Sequence, residues 1–387
     1  MPRPLSILHI ASFAGNIGDN ANHMGFRPWL EALIDRPVSW TRLEMREFYW
    51  RERRWDETLV DFINTHDLLV IGGGNYFELW VESSPTGTSV AIEPTLFDRI
   101  RVPVFFNALG VDPGKGVAAT SRERFAAFLD KLTTSEQYLV SVRNDGAMDN
   151  LKRHIGEQYA ERVHDLPDHG FFLPHPQETP PVLLPPRRDA KRIVINIACD
   201  MGHIRFAGFE GRAEFTREMA AVIERLADGD PRTEFYLIPH IFSDLEVVSE
   251  LIGHLGDRLR RTRLAVAPFG SGDDAARQAF ALYRSADLVM GMRFHSNVCS
   301  MALGRQVLGL RCYLQIENLY TGLGQTDRLT DVSKPGFADL LVERAERALQ
   351  GGAGFSAGAA EAVANATAKR AAFEPVMKRW LGQLNTN

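Results

Sequence analysis

Cysteine is nearly absent from this chain, with Cys199, Cys299 and Cys312 the three examples in 387 residues. Three scattered thiols build neither a disulfide framework nor a Cys-rich zinc site, and they fit a reducing compartment. Long apolar runs are also missing: no stretch approaches the roughly 18 uninterrupted residues that cross a bilayer as a helix. The opening Met-Pro-Arg-Pro-Leu-Ser leads into an apolar run too short and wrongly flanked for a signal peptide. Charge of one sign is lacking too. Lys and Arg number 44 against 49 Asp and Glu, a net charge of −5, which argues against a nucleic-acid partner held by a basic surface. His164, His169, His175 and His203 fall near carboxylates without zinc-ligand spacing, so no metal is expected. Neither a Gly-x-Ser-x-Gly elbow nor a Walker loop occurs. The expectation is a cytoplasmic protein.

What is present is an ordinary globular composition, 45% hydrophobic and 24% charged. At about 150 residues per domain the length suggests two or three domains. Short β-rich runs at 5–11, 68–71, 103–107 and 138–142 alternate with helical stretches at 122–132 and 145–159, the pattern of a parallel α/β sheet. Six prolines between 174 and 186 interrupt it. The alternation restarts with strands at 192–198, 234–238, 264–267, 287–290 and 307–310, with helices between them. The reading is therefore an N-terminal domain over 1–172, a proline-stiffened linker over 173–190 and a C-terminal domain over 191–350. A Gly/Ala connection and an amphipathic helix close the chain over 351–387, with Val376, Met377, Trp380, Leu381 and Leu384 on one face. Two such α/β halves imply a cleft, with ligands beyond the carboxyl ends of the strands.

The loops after those strands are the candidates for chemistry. Gly15-Asn16-Ile17-Gly18-Asp19-Asn20-Ala21 follows the first strand; its glycines admit a ligand close to the backbone, or form a plain turn with Asp19 as helix cap. Gly72-Gly73-Gly74-Asn75 follows the second and reads either as a tight turn or as space for a ligand. Arg143, ending the fourth strand, presents a planar fork or pairs with Asp145. His240, in Pro239-His240-Ile241-Phe242-Ser243-Asp244, either faces the cleft or packs inside. A basic-aromatic stretch, Phe48 to Trp55, is read as a helix face with buried aromatics. Most informative is Met292-Arg293-Phe294-His295, where a fixed cation and a proton-transfer group two residues apart lead into an apolar helix. Such a pair suits an anionic substrate that must also accept a proton.

Taken in order, these segments resemble the polysaccharide pyruvyl transferase family, from about residue 5 to 325. The resemblance implies two Rossmann-like α/β domains facing a cleft, as in GT-B glycosyltransferases. It implies transfer of the pyruvyl unit of phosphoenolpyruvate to a sugar, giving a cyclic ketal and free phosphate, with no cofactor. Arg293 and the backbone of Phe294 would bind phosphoenolpyruvate, His295 would act as general acid, and Arg143 would be a second anion-binding cation. Gly18 and Asp19 would lie on the acceptor side, with Asp19 the base on the sugar hydroxyl. Asn16, Gly73, Gly74, Asn75 and His240 complete the candidate substrate-binding residues. The acceptor could be lipid-linked, which would place the protein at the inner membrane face, and a homo-oligomer stays open. One departure is notable: family members often carry a Tyr and then a Lys after the Arg-x-His helix, whereas the stretch here, Arg311-Cys312-Tyr313-Leu314-Gln315-Ile316-Glu317-Asn318, has no Lys before Leu323-Gly324. A nucleotide-sugar glycosyltransferase, or a non-catalytic binding protein on the same fold, are the competing readings.

Overall fold

Unbroken apolar runs in β-branched and aromatic residues form strands buried on both faces, and successive side chains must then feed two different cores. In the computed structural model, which describes residues 3–351 and 353–385, this is what Leu68–Gly72 does. Leu69 and Ile71 enter one apolar cluster, while Leu68 and Val70 enter another on the opposite face.

The chain divides into two compact units. The first takes residues up to Phe13, Gly25–His169 and the segment from Ala366 onward; the second takes Ala14–Met24 and Gly170–Asn365. The division therefore moves the glycine loop after the first strand into the second unit and the closing residues into the first.

The first unit carries β1 (Leu5–Ala11), β2 (Val38–Glu44), β3 (Leu68–Gly72), β5 (Val104–Leu109), β7 (Tyr138–Val142) and β8 (His164–Asp165). They form one parallel sheet in the order β2-β1-β3-β5-β7-β8. A separate two-stranded ladder joins β4 (Phe77–Glu78) to β6 (Val111–Asp112). The second unit carries β9 (Lys191–Asn196), β10 (Thr233–Leu237), β11 (Leu264–Val266), β12 (Leu288–Gly291), β13 (Gln306–Arg311) and β14 (Leu329–Asp331). Its order is β11-β10-β9-β12-β13-β14, again parallel throughout.

Each sheet reverses direction once in its strand order. The second has the doubly wound order of dinucleotide-binding domains, with its switch between β9 and β12; the first is flavodoxin-like, with its switch between β1 and β3. Loops at the carboxyl ends of those four strands are the expected ligand positions.

Several local expectations change. The helix expected over 145–159 is Ala147–His154 followed by a short 3-10 turn at Glu157–Tyr159, because Gly156 interrupts it. Residues 173–190 carry no helix or strand. The Gly/Ala stretch near 351–360 is not a loose connection: a helix runs Ala353–Leu381, alanine-rich and therefore strongly helix-forming, while Gly352 lies outside the described residues. Met377 and Leu381 of that helix are buried in the first unit's core beside Phe26, Trp29 and Phe105, with Val376, Trp380 and Leu384 packed against it.

Candidate active site

Arg293 stands at the end of β12 as the N-cap of the Phe294–Ala302 helix, in extended backbone. Its main-chain N–H donates to Asn196 Oδ1 at the end of β9 (3.1 Å), which ties the two switch-point strands together. Asn297 returns two donations, to the carbonyls of Gly291 (3.0 Å) and Arg293 (2.8 Å), and Ser296 donates a third to Arg293 (2.7 Å). The strand-to-helix corner is thereby fixed by side chains of the helix it starts.

The guanidinium is held as firmly. Nε donates to Asp244 Oδ2 (2.9 Å) and Nη2 to Asp244 Oδ1 (2.5 Å), a fork-to-fork pair, while Nη2 also meets Asp200 Oδ1 (2.5 Å). Asp244 is completely buried and also accepts from the main chains of His240 (2.9 Å), Ile241 (3.2 Å) and Cys199 (3.3 Å). Burial alone would weaken the cation, but Asp244 and Asp200 outweigh it and keep Arg293 charged. Asp200 is opposed by burial in the same way, yet Arg293 and Arg205 hold it below the usual carboxylate range. Arg205 donates through Nε to the Asp200 carbonyl (2.8 Å) and through Nη1 to Cys312 Sγ (3.2 Å). Asp200 is the more exposed of Arg293's two carboxylates, 32% against 0% for Asp244, and is therefore the one an incoming anion can displace.

His295 sits in the first turn of the same helix, 6% exposed, with its ring edge-on to Phe294 at 5.5 Å. The ring packs onto the glycine loop. A methyl placed on Gly18 would come within 2.6 Å of His295 Nδ1 and 2.7 Å of its Cβ, so only glycine permits this approach. Asp19 Oδ1 lies 4.0 Å from Nδ1. The cap of the Ile17–Ile34 helix is Asn16 and not Asp19: Asn16 Oδ1 accepts from Gly18 N–H (3.0 Å), which leaves Asp19 one turn in, beside the histidine. The loop is pinned further by Gly15 N–H on Ser271 Oγ (2.8 Å) and Asn20 Nδ2 on Asp273 Oδ1 (2.9 Å).

His240 packs inside. It is completely buried, with Nε2 2.7 Å from the Tyr283 hydroxyl, and its carbonyl accepts from Ile17 N–H (3.3 Å). Burial, then the Arg293 and His295 charges, push this imidazole well below its ordinary value. Its place is beneath the loop.

In the first unit Arg143 is 4% exposed. Nε donates to Asp145 Oδ2 (2.6 Å), and Nη1 lies 3.8 Å from Asp168 Oδ2. The pairing with Asp145 that sequence suggested is real, but it is buried. Gly72 and Gly73 adopt positive φ (137° and 87°), and Gly73 N–H is spent on the Asn107 carbonyl (3.0 Å), so this pair makes a structural turn. Gly74 accepts from Gly110 N–H (3.1 Å), and Asn75 Nδ2 donates to Asp112 Oδ2 (2.7 Å). Asp200 and Asp168 were not singled out in the sequence. Asp200 follows the switch strand β9 as Arg293 follows β12, and only the strand order marks that position.

Among the described residues no helix is long and apolar enough to cross a membrane. The two parallel α/β units have the fold of GT-B-type proteins. A UDP-N-acetylglucosamine 2-epimerase from Neisseria meningitidis bound to UDP-N-acetylglucosamine is similar in structure, with TM-score 0.54 at 10% identity, covering 97% of this chain and 100% of that one. The Anabaena HepE protein in complex with UDP and glucose gives 0.52 at 12% identity, covering 98% and 100%. At these identities the likeness is one of fold. No curated protein sequence matches the chain. The family model for polysaccharide pyruvyl transferase matches residues 16–312, which include the Gly18-Asp19 loop, Arg143 and the Arg293-His295 corner. The chain belongs to the polysaccharide pyruvyl transferase family.

Proposed function

We propose that the protein transfers the pyruvyl unit of phosphoenolpyruvate to a sugar of a polysaccharide or its precursor, forming a cyclic ketal and releasing phosphate. Phosphoenolpyruvate is the donor substrate, and the reading invokes no cofactor. The observation that carries it is the β12 corner: a cation clamped by Asp244 and a nearly buried histidine, both at one helix N-terminus on the switch point of a doubly wound sheet.

The geometry fits the chemistry. Phosphoenolpyruvate is multiply anionic, and Arg293, a fixed cation at the N-terminus of the Phe294–Ala302 helix, is a natural seat for it. Ketal formation begins with a proton delivered to the methylene carbon, which leaves positive charge at C2 for a sugar hydroxyl to attack. In this reading His295 delivers that proton. Asp19, 4.0 Å from Nδ1, supplies the counter-charge that an imidazolium needs, so its role is better written as partner of the acid than as base on the sugar. Arg143, which the resemblance names as an anion-binding cation, is held within the first unit between Asp145 and Asp168.

The test is acceptor-dependent phosphate release from phosphoenolpyruvate with a panel of β-hexosides, run beside hydrolysis of a UDP-sugar. Release that disappears in His295→Ala while phosphoenolpyruvate still binds supports the reading. Turnover of the UDP-sugar with no phosphate release from phosphoenolpyruvate refutes it.

A further inference from the structure

Two guanidiniums face the Asp200 carboxylate, and only one of them belongs to the Arg-x-His motif. Asp200 Oδ1 accepts from Arg293 Nη2 (2.5 Å), while Oδ2 lies 3.4 Å from Arg205 Nη2, so each oxygen serves a different arginine. All three residues belong to the second unit and follow its switch-point strands β9 and β12. Each arginine is also fixed without that carboxylate. Arg293 has its two bonds to Asp244. Arg205 donates to the Asp200 carbonyl (2.8 Å) and to Cys312 Sγ (3.2 Å), and its guanidinium lies 5.4 Å from the centroid of the Tyr313 ring. The two nearly buried cations are close enough for the charge of Arg293 to oppose that of Arg205. Like charges held together away from water need a negative group between them. Asp244 neutralises one charge from beneath, and the partly exposed Asp200 fills the remaining anion position. Met201, the next residue, has φ 54°, a left-handed backbone that a side chain rarely adopts, so the turn carrying Asp200 is held against its local preference.

We propose that Arg205 and Arg293 together form the seat of a phosphate group, and that Asp200 is a built-in stand-in anion which the phosphate displaces on binding. The inference rests on the pyruvyl-transfer reading, in which that phosphate belongs to phosphoenolpyruvate and leaves as product. A phosphate group offers three acceptor oxygens, enough for a fork from each arginine, and carries more charge than the single carboxylate it replaces. Because Asp200 is tethered to the chain, it competes with every bound phosphate and keeps the affinity low enough for product to leave.

This competition has a sign that a purely structural ion bridge lacks. If Asp200 served only to hold the two arginines, removing its charge would loosen both and weaken anion binding. As a stand-in it blocks the seat, so removing its charge frees the cations, and the apparent dissociation constant falls according to how fully Asp200 occupied them. Although burial opposes it, the charges of Arg293 and Arg205 hold the Asp200 carboxyl below the usual range, so it is an ionised competitor at neutral pH.

The experiment titrates the full chain calorimetrically with inorganic phosphate, phosphoenolpyruvate and pyruvate, the last carrying a carboxylate without the phosphate. Asp200→Asn should tighten inorganic phosphate and phosphoenolpyruvate by about 10-fold and leave pyruvate unchanged. Arg205→Gln should weaken inorganic phosphate by about 10-fold or more. That variant also strips Asp200 and Cys312 of a buried partner, so Arg205→Lys, which keeps the cation and loses the fork, is the second; it should weaken phosphate in the same direction. Phosphate affinity that falls or stays level in Asp200→Asn, or a tightening confined to pyruvate, overturns this inference and leaves the pyruvyl reading standing. Phosphate tightened by Asp200→Asn, in a protein that never moves pyruvyl from phosphoenolpyruvate to any hexoside, supports the two-arginine seat and overturns the pyruvyl reading alone.

Discussion

Replacing Gly18 by alanine sets two effects of opposite sign against each other. Gly18 is helical, and alanine in a helix interior is favoured over glycine by about 1 kcal/mol. The new methyl, however, would stand 2.6–2.8 Å from Nδ1, Cβ and Cγ of His295. Carbon contacts settle near 3.5–4.0 Å, so the ring must withdraw by about 1 Å. The atoms in conflict include the root of the side chain, and rotation of the ring alone cannot relieve them. A misplacement of about 1 Å at a reacting group can cost about 100-fold in rate, near 2.7 kcal/mol in the barrier. Gly18→Ala should therefore lose about 100-fold in phosphate release while its melting temperature changes little. Gly253→Ala is the control, a helical glycine with nothing within 4 Å of its added methyl; it should gain stability and keep full turnover. If Gly18→Ala retains wild-type kcat, the close packing of the loop on His295 does not position the acid, and the argument fails.

Three further outcomes are expected. Asp244→Asn removes the charge from a fully buried carboxylate that clamps Arg293, and breaking such a pair costs about 3–5 kcal/mol. Urea unfolding should be followed by far-UV circular dichroism, because all six tryptophans lie in the first unit, whereas Asp244 lies in the second. His240 stays neutral in the fold, whereas the unfolded imidazole gains a proton below its ordinary value near 6.5. The unfolded state then holds more protons, so stability falls as pH drops below about 6.5, by up to about 1.4 kcal/mol per pH unit. His240→Gln should flatten that slope in unfolding series between about pH 7 and pH 5. Arg293→Lys keeps a cation but cannot span Asp244 with two bonds; phosphoenolpyruvate affinity should fall by about 10-fold or more, read by calorimetric titration.

Much of the fold is written locally. The central strands announce themselves as short apolar runs because a parallel sheet buries both faces, and each side chain there has the same hydrophobic requirement. β2 escapes that logic. Val38–Glu44 is an edge strand with Arg42 and Glu44 among its residues and mostly partial burial, and its pairing to β1 is what makes it a strand. The Gly/Ala stretch before the closing helix failed for the opposite reason: glycine suggested a flexible link, yet the alanine-rich run that follows is helical.

The scarcity of cysteine, the balanced charge and the alternation of strand and helix determined the class of protein, because they depend on composition and period alone. Arg293 and His295 were visible as well, since a cation and a histidine two residues apart at a strand end need no distant information. What they touch was settled by tertiary structure. Asp244 comes from 49 positions away and Asp200 from 93, while Gly18 and Asp19 lie more than 270 residues from the ring they meet. The order β10-β9-β12 in the second sheet brings Asp244 and Asp200 to Arg293, and packing of the glycine loop brings Gly18 and Asp19 to His295; both are long-range events that no local window of the sequence records.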